Sequence, residues 1–385
     1  MGLEITQFGG GYGSFAGDSC VVTFTNGSEC KHIMIDLGIP SQYGCAIDYM
    51  QRGRWELWGI VFTHFHRDHT GEARSFLSRI GLLSSISGKI VLPPTTKMPH
   101  IGHRIIQSKR SAIQVIRPIN GDIIFEDIEI IDGHEMYVKI QAIVPSINQD
   151  QWATLTENDC SMGCLITVAY GAKVWRMLTL GDMVADTAER SIQDVLTDNN
   201  GGFLPVNVIK VPHHFSANNH MDIISRLYAQ GYQTRNGLRL HPTIVSSGYT
   251  GADFNPRVVN YLLQSIDKYP PITLPGDLCI LFNRDEILRE ADIQALVGPS
   301  LPPSEPIFCR AKRELQQYFD IVALDYFTWR FNPSSYLVMD EEPGNNVFNC
   351  KRGRPSSPEV STGEGYPNTR AKKRAMARRG SPPFA

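Results

Sequence analysis

Short apolar, β-branched runs bounded by Gly, Pro, Asn and Asp dominate the first 280 residues. This pattern predicts strands separated by turns. The runs are LEITQF, CVVTFT, HIMIDLG, GIVFTH, KIVLP, AIQVI, DIIF, IEII, YVKIQAIV, GCLITVAY, KVWRMLTLGD, VNVIKV and TIVSS. Apolar residues at three- and four-residue steps predict interleaved helices in GEARSFLSRIGLL, ADTAERSIQDVL, MDIISRLYAQ and PRVVNYLLQSI. No internal repeat is visible. Strands with helices between them imply an α/β protein of the α+β type, its sheets covered by helices on their outer faces.

The pattern changes near residue 285. NRDEILREADIQALV and FCRAKRELQQYFDIVAL read as two helices separated by the Pro-rich GPSLPPSEP. From about Glu341 the chain is rich in Gly, Pro, Ser, Asn and charge, too poor in apolar surface to fold alone. The expected organisation is a main domain over 1–285, a helical extension over 286–340 and a disordered basic tail over 341–385.

Composition adds limits. The chain is 42% hydrophobic and 20% charged with a formal net charge of −2, so no global charge draws it to nucleic acid or membrane. No apolar run is long enough to span a bilayer, and the N-terminus lacks the features of a secretory signal. Eight irregularly spaced cysteines are expected to be reduced thiols, which implies a cytoplasmic location. The pair Cys160 and Cys164 beside LITVAY reads as packing, because no second pair stands nearby to complete a metal site.

The chemistry concentrates in VFTHFHRDHTGEA, residues 61–73. In an extended backbone residues i and i+2 share a face, so His64 and His66 can aim two imidazoles at one point. Asp68 and His69 follow where the chain turns into a helix starting near Thr70 and Gly71, and can reach a second point nearby. Imidazole and carboxylate together suit zinc, and also manganese or iron. Single histidines in loops are usually just solvated; four such residues between a strand and a helix predict a metal site.

The H-x-H-x-D-H spacing resembles the signature of the metallo-β-lactamase superfamily, and later segments are similar to its further motifs in the expected order. RMLTLGDMVAD resembles the strand ending in Gly-Asp, which would make Asp182 the bridging carboxylate. VNVIKVPHHFSANN, the opening GDSCVVTF…HIMIDLG and the strand ENDCSMGCLITVAYG resemble the ComEC-like branch, the soluble hydrolase domain of competence and DNA-uptake proteins. The resemblance runs from about residue 3 to residue 267 and implies a four-layer αββα sandwich. It implies that His64 and His66 hold one metal. Asp68, His69 and one histidine of the pair His213/His214 would hold the second, with Asp182 between. One or two zinc ions are expected, with manganese as a rival. Asp68 and the histidine pair would carry the catalysis, with Asp68 orienting a metal-activated water against an ester, most readily a phosphodiester of DNA.

Each assignment has an ordinary counterpart. Asp182 could be a turn aspartate, Asp186 is expected to face solvent, and His134 in IDGHEMYVK reads as a turn residue. Asn158, Asp159 or Ser161 stands where the superfamily's third-motif histidine lacks a match. His213 and His214, read as the end of a strand, should point to opposite faces, so that only one is a ligand. Lys210 and Ser216 are weaker candidates for phosphate contact, beside surface or capping roles. Two departures stand out: Phe215 replaces the Gly that follows the branch's histidine pair and would narrow the site. Asn255 replaces the branch's His before Pro; it can hydrogen-bond an oxyanion but cannot act as an acid at neutral pH.

The last stretch, RAKKRAMARRG, holds Lys372, Lys373, Arg374, Arg378 and Arg379. It would bind a polyanion without sequence preference, or simply be solvated. A nuclease or phosphodiesterase is therefore expected. Two rivals remain: a hydrolase of a small phosphoester or cyclic nucleotide, and a metal-dependent interaction module that binds a protein partner through the C-terminal extension.

Overall fold

The computed structural model describes residues 2–10, 17–26, 29–50, 54–71, 86–94, 102, 113–131, 134–147, 155–171, 173–216, 219, 221–233, 239–248, 278–282, 320–323 and 326–331. The expected helices over 71–83 and 256–266, the first C-terminal helix, Asn255 and the basic tail lie outside these residues.

Two sheets organise the chain. The first runs, in spatial order, β17 (Tyr326–Phe331), β1 (Gly2–Phe8), β2 (Ser19–Asn26), β3 (Glu29–Leu37), β4 (Arg54–Val61), β5 (Ile86–Val91) and β6 (Gln114–Ile116). The second runs β16 (Asp320–Ala323), β15 (Leu278–Phe282), β14 (Thr243–Ser247), β11 (Val208–Lys210), β10 (Lys173–Thr179), β9 (Gly163–Tyr170), β8 (His134–Ile143) and β7 (Ile123–Ile131). A small hairpin, β12 (Tyr232–Gln233) with β13 (Arg239–Leu240), stands apart. Among the described residues the helices are α1 (Pro40–Met50), α2 (Arg67–Thr70), α3 (Ala185–Leu196) and α4 (Asp222–Gln230).

Side-chain alternation assigns the layers. Cys20, Val22 and Phe24 of β2, Ile33 and Ile35 of β3, Cys164, Ile166 and Val168 of β9, and Trp175 and Met177 of β10 share one core, so the two sheets face each other across it. The opposite alternation on the first sheet (Val21, Met34) packs with Ala46, Tyr49 and Met50 of α1, and Leu37 joins it after the left-handed Asp36 breaks the alternation. On the second sheet, Leu165 and Leu178 pack with Ala188 and Ile192 of α3 and with Ile223 and Leu227 of α4. Helix on sheet on sheet on helix is the expected layering. Each fully buried Leu, Ile or Phe in these layers stabilises the fold by roughly 1.5–3 kcal/mol.

The C-terminal reading needs correction. DIVA and YFTWRF, assigned by sequence to the helical extension, are strands that add one edge to each sheet: β16 pairs parallel with β15, and β17 pairs antiparallel with β1. The period in YFTWRF is two, not 3.6. Trp329 and Phe331 are buried in the inter-sheet core against Trp175, with ring centroids 6.4 and 4.9 Å away. Two other readings shift: DIIF and IEII are one continuous strand, and β11 stops at Lys210, short of the histidine pair. Among the described residues no helix is long and apolar enough to cross a membrane.

Candidate functional site

The ends of β3, β4, β10 and β11 bring the polar residues together. β4 ends at Val61, and His64 and His66 follow in irregular chain before α2. That helix begins at Arg67, earlier than expected, so Asp68 and His69 sit on its single turn. The His69, Thr70 and Gly71 N–H groups donate to the carbonyls of His66 and Arg67, which fixes the loop around the cluster.

Each buried ring is oriented by its Nδ1 side. Asp36, near the end of β3, accepts from the Thr63 N–H (2.8 Å) and hydroxyl (2.6 Å), and its Oδ2 lies 2.8 Å from His69 Nδ1. Its φ of 54° is left-handed, a strained state for a side-chain-bearing residue that its three partners hold in place. With its proton committed to Asp36, Thr63 Oγ1 can only accept from His64 Nδ1, 3.2 Å away. His214 Nδ1 donates to the Ser247 carbonyl at 2.7 Å. His213 Nδ1 lies 2.8 Å from Asn219 Oδ1, and the Asn219 amide donates to the carbonyls of Asp182 and Met183, so its oxygen must face His213 and accept. In all four rings Nδ1 is therefore turned to its partner and Nε2 toward the centre, where it can bind a cation once any proton it carries is displaced.

At the centre is Asp182. Gly181 precedes it at φ 50°, and a Cβ there would meet Ser161 Oγ and Thr63 Cβ at 2.8 Å, so the turn needs glycine. The Asp182 N–H donates to Ser161 Oγ at 3.0 Å. Its carboxylate lies 3.2 Å from His69 Nε2, 3.5 Å from His64 Nε2 and 3.7 Å from His213 Nε2. Asp68 stands between His214 (3.6 Å) and His69 (3.8 Å). His66 lies at the rim, 43% exposed, with Glu157 Oε2 3.6 Å from its Nε2.

The electrostatics follow from this crowding. Burial alone would raise the Asp182 carboxyl, but the charge of His69, with His64 beside it, takes it well below the usual range. Burial would lower His69, yet Asp182, Asp36 and Asp68 hold its proton on well above the ordinary histidine value. His64 goes the other way: burial, then the neighbouring His69, push it well below. Against its own burial, Asp68 is kept low by His69 and His214.

Two donor groups result, sharing Asp182. The inner one comprises Asp18, His69, Asp182 and His214, all buried; the outer one comprises His64, His66 and Asp182. In each group the donor atoms lie within 4.8 Å of one another. The Nε2 atoms of His64, His69 and His214 and both Asp182 oxygens are buried without a hydrogen-bond partner. Buried polar atoms are nearly always satisfied. Imidazole nitrogens and carboxylate oxygens that converge without partners are the donor set a divalent cation takes, so these residues fit one.

Sequence reasoning named His64, His66, Asp68, His69, Asp182, His213 and His214, and all of them meet here. One reading is corrected: the histidine pair does not continue a strand. His213–Phe215 is a single 3-10 turn, and φ values of 48° and 50° at His213 and His214 swing both imidazoles inward, so neither faces away. Lys210 is corrected too, since it is buried against Asp18 rather than on the surface. Ser216 is buried with its hydroxyl unpartnered; the side chain of Phe215 lies outside the described residues. Ser161 lies 3.5 Å from His64 Nδ1, whereas Asp159 accepts from the Thr156 N–H and hydroxyl in an exposed turn. His134 stands where β7 turns into β8. Asp18, Asp36, Glu157 and Asn219 were not singled out as site residues; only the G-D-S and I-D-x-G resemblances touched Asp18 and Asp36.

One family model matches part of this architecture. Residues 16–140 match the family model of the metallo-beta-lactamase superfamily. No curated protein matches the chain in sequence. Among solved structures, the metallo-beta-lactamase fold protein YhfI from Bacillus subtilis is similar at 10% identity, with 72% of this chain and 96% of that chain covered and a TM-score of 0.41. A diphosphatase from the PhnP family matches at 12% identity, with 71% and 96% covered and a TM-score of 0.35. The short form of human tRNase Z matches at 15% identity, with 68% and 88% covered and a TM-score of 0.36. Two facing sheets with helices outside, and the matched segment carrying the H-x-H-x-D-H cluster, give this chain the metallo-β-lactamase fold.

Proposed function

We propose that this chain is a metal-dependent phosphoester hydrolase, with DNA as the favoured substrate class. The observation that carries the reading is the convergence of buried, unpartnered Nε2 atoms on the Asp182 carboxylate. His64, His66 and Asp182 would hold one cation; His69, His214 and Asp182, with Asp68 beside them, would hold the other. Zinc suits the imidazole-rich set, and manganese suits its carboxylates. A divalent cation supplies positive charge that makes a nearby water acidic enough to ionise near neutral pH.

The chain's own residues do the rest. Asp68, a quarter exposed and held ionised, accepts a hydrogen bond from the attacking water and orients it. The water passes a proton to the Asp68 carboxylate as its oxygen bonds to phosphorus and the bond to the leaving oxygen breaks. His213, 30% exposed at the rim with its Nδ1 fixed by Asn219, can take up a proton on Nε2 and pass it to that oxygen. The preference for DNA rests on the similarity of KVPHH and the G-D-S opening to the ComEC-like branch, and on the basic run at 370–379. A cytoplasmic location, and a protein partner at the C-terminal region, belong to the same proposal.

The test is hydrolysis of end-labelled single- and double-stranded DNA, beside a small aryl phosphodiester, by metal-replete protein. Cleavage of DNA that EDTA and Asp182→Asn both abolish is expected. Turnover of the small diester alone would move the reading to a small phosphoester. No turnover of either by protein with bound metal would favour the interaction module.

A further inference from the structure

Asp18 is a buried carboxylate in the loop before β2, and its chemistry is not explained by its pairing with Lys210 alone. Its Oδ2 is paired with the Lys210 ammonium, itself buried at the end of β11. Its Oδ1 is buried with no hydrogen-bond partner. An aspartate kept only to neutralise Lys210 would be expected to have both oxygens satisfied. The loop is pinned toward the cluster: the Asp18 N–H donates to the Asp68 carbonyl at 3.3 Å. One carboxylate oxygen of Asp18 lies within 4.8 Å of donor atoms from His69, Asp182 and His214.

We propose that Asp18 is a donor to the inner cation, completing a set of two imidazoles and two carboxylates, and that Lys210 is the residue that positions it. This inference rests on the proposed metal-dependent reading and adds a donor to it. A carboxylate can place one oxygen on a cation while the other accepts from an ammonium, and such outer contacts orient metal ligands and tune affinity. The buried Lys210 charge also offsets part of the negative charge of two adjacent carboxylates when no cation is present. A two-carboxylate set shifts the inner position toward harder cations, so manganese should compete with zinc better there than at the outer position.

The experiment measures zinc by chelator competition and native mass spectrometry, and donor geometry by the visible absorption of the cobalt-loaded protein. It compares the wild type, Asp18→Asn and the double variant Asp18→Asn/Lys210→Met. The double variant removes both buried charges together, so it keeps the fold where the single variant strands an ammonium. At least tenfold weaker binding of one zinc ion is expected in both variants, with an altered cobalt spectrum and, for the double variant, an unchanged melting temperature. Wild-type affinity and spectrum in both variants would overturn the role of Asp18 and leave the metal-dependent reading standing. Weakened binding in the single variant alone, restored in the double, would trace the effect to stranded charge and overturn it as well. A wild type that takes up no zinc or cobalt would overturn both.

Discussion

The inner and outer halves of the site use the same residue types in different settings. In the inner half, His69 and His214 are buried, and their rings are clamped by the Asp36 carboxylate and the Ser247 carbonyl at 2.8 and 2.7 Å. In the outer half, His64 is buried on hydroxyl partners 3.2 and 3.5 Å away, while His66 and Glu157 are 43% and 39% exposed, 3.6 Å apart. Donors already fixed lose little freedom on binding, and their outer contacts raise ligand basicity. Exposed donors must be ordered, and compete with water. The difference predicts a tight cation position and a loose one 

around a single carboxylate.

The largest expected effect removes what the halves share. Asp182→Asn leaves shape and the N–H bond to Ser161 in place but takes the charge from both donor groups. Phosphodiester turnover is expected to fall on the order of 10³-fold or more. Cation content per chain should fall at both positions, read by elemental analysis after desalting. Loss at one position only would show that Asp182 is not shared.

A smaller effect separates the halves. His69→Ala is expected to weaken the tighter cation by at least about 100-fold, the upper end of what losing an outer contact alone costs, and His66→Ala to weaken the looser one by about tenfold. Chelator competition on the two variants reads both numbers. Equal losses would remove the distinction. Asp36→Asn should resemble His69→Ala in kind and be milder in size, since it loosens the ring without removing it.

How much of this was legible in the sequence differs between the same regions. Strands such as ECKHIMIDL and GCLITVAY announced themselves through apolar runs, and the outer histidines through adjacency on one short segment. Asp68 and His69 were visible for the same reason. The clamps were not. Asp18 meets Lys210 across 192 residues and Asp36 meets His69 across 33, and pairings at that distance depend on how strands order within the sheets. The His213/His214 error was local in origin: alternation assumes an extended backbone, and positive φ at both residues breaks it. The strand YFTWRF was absorbed into a helical reading because a helix-like pattern preceded it; only pairing with β1 reveals its period.

Protonation offers the finest test of the comparison. In the cation-free protein His69 and His214 are held protonated above the ordinary histidine range by carboxylates, against the pull of burial. Burial keeps His64 neutral down to well below that range. A cation needs the lone pair, so binding at the inner position must displace a proton, whereas His64 has none to give near neutral pH. The sign follows: raising the pH strips a competitor from the inner ligands only. Inner affinity should therefore climb by about tenfold per pH unit for each proton released. From His64, outer affinity should gain nothing over the same interval. Calorimetric titration with zinc in two buffers of different ionisation enthalpy counts the protons directly. Release confined to the tighter event would tie that event to the clamped rings, and equal release in both events would sink the assignment of inner as tight.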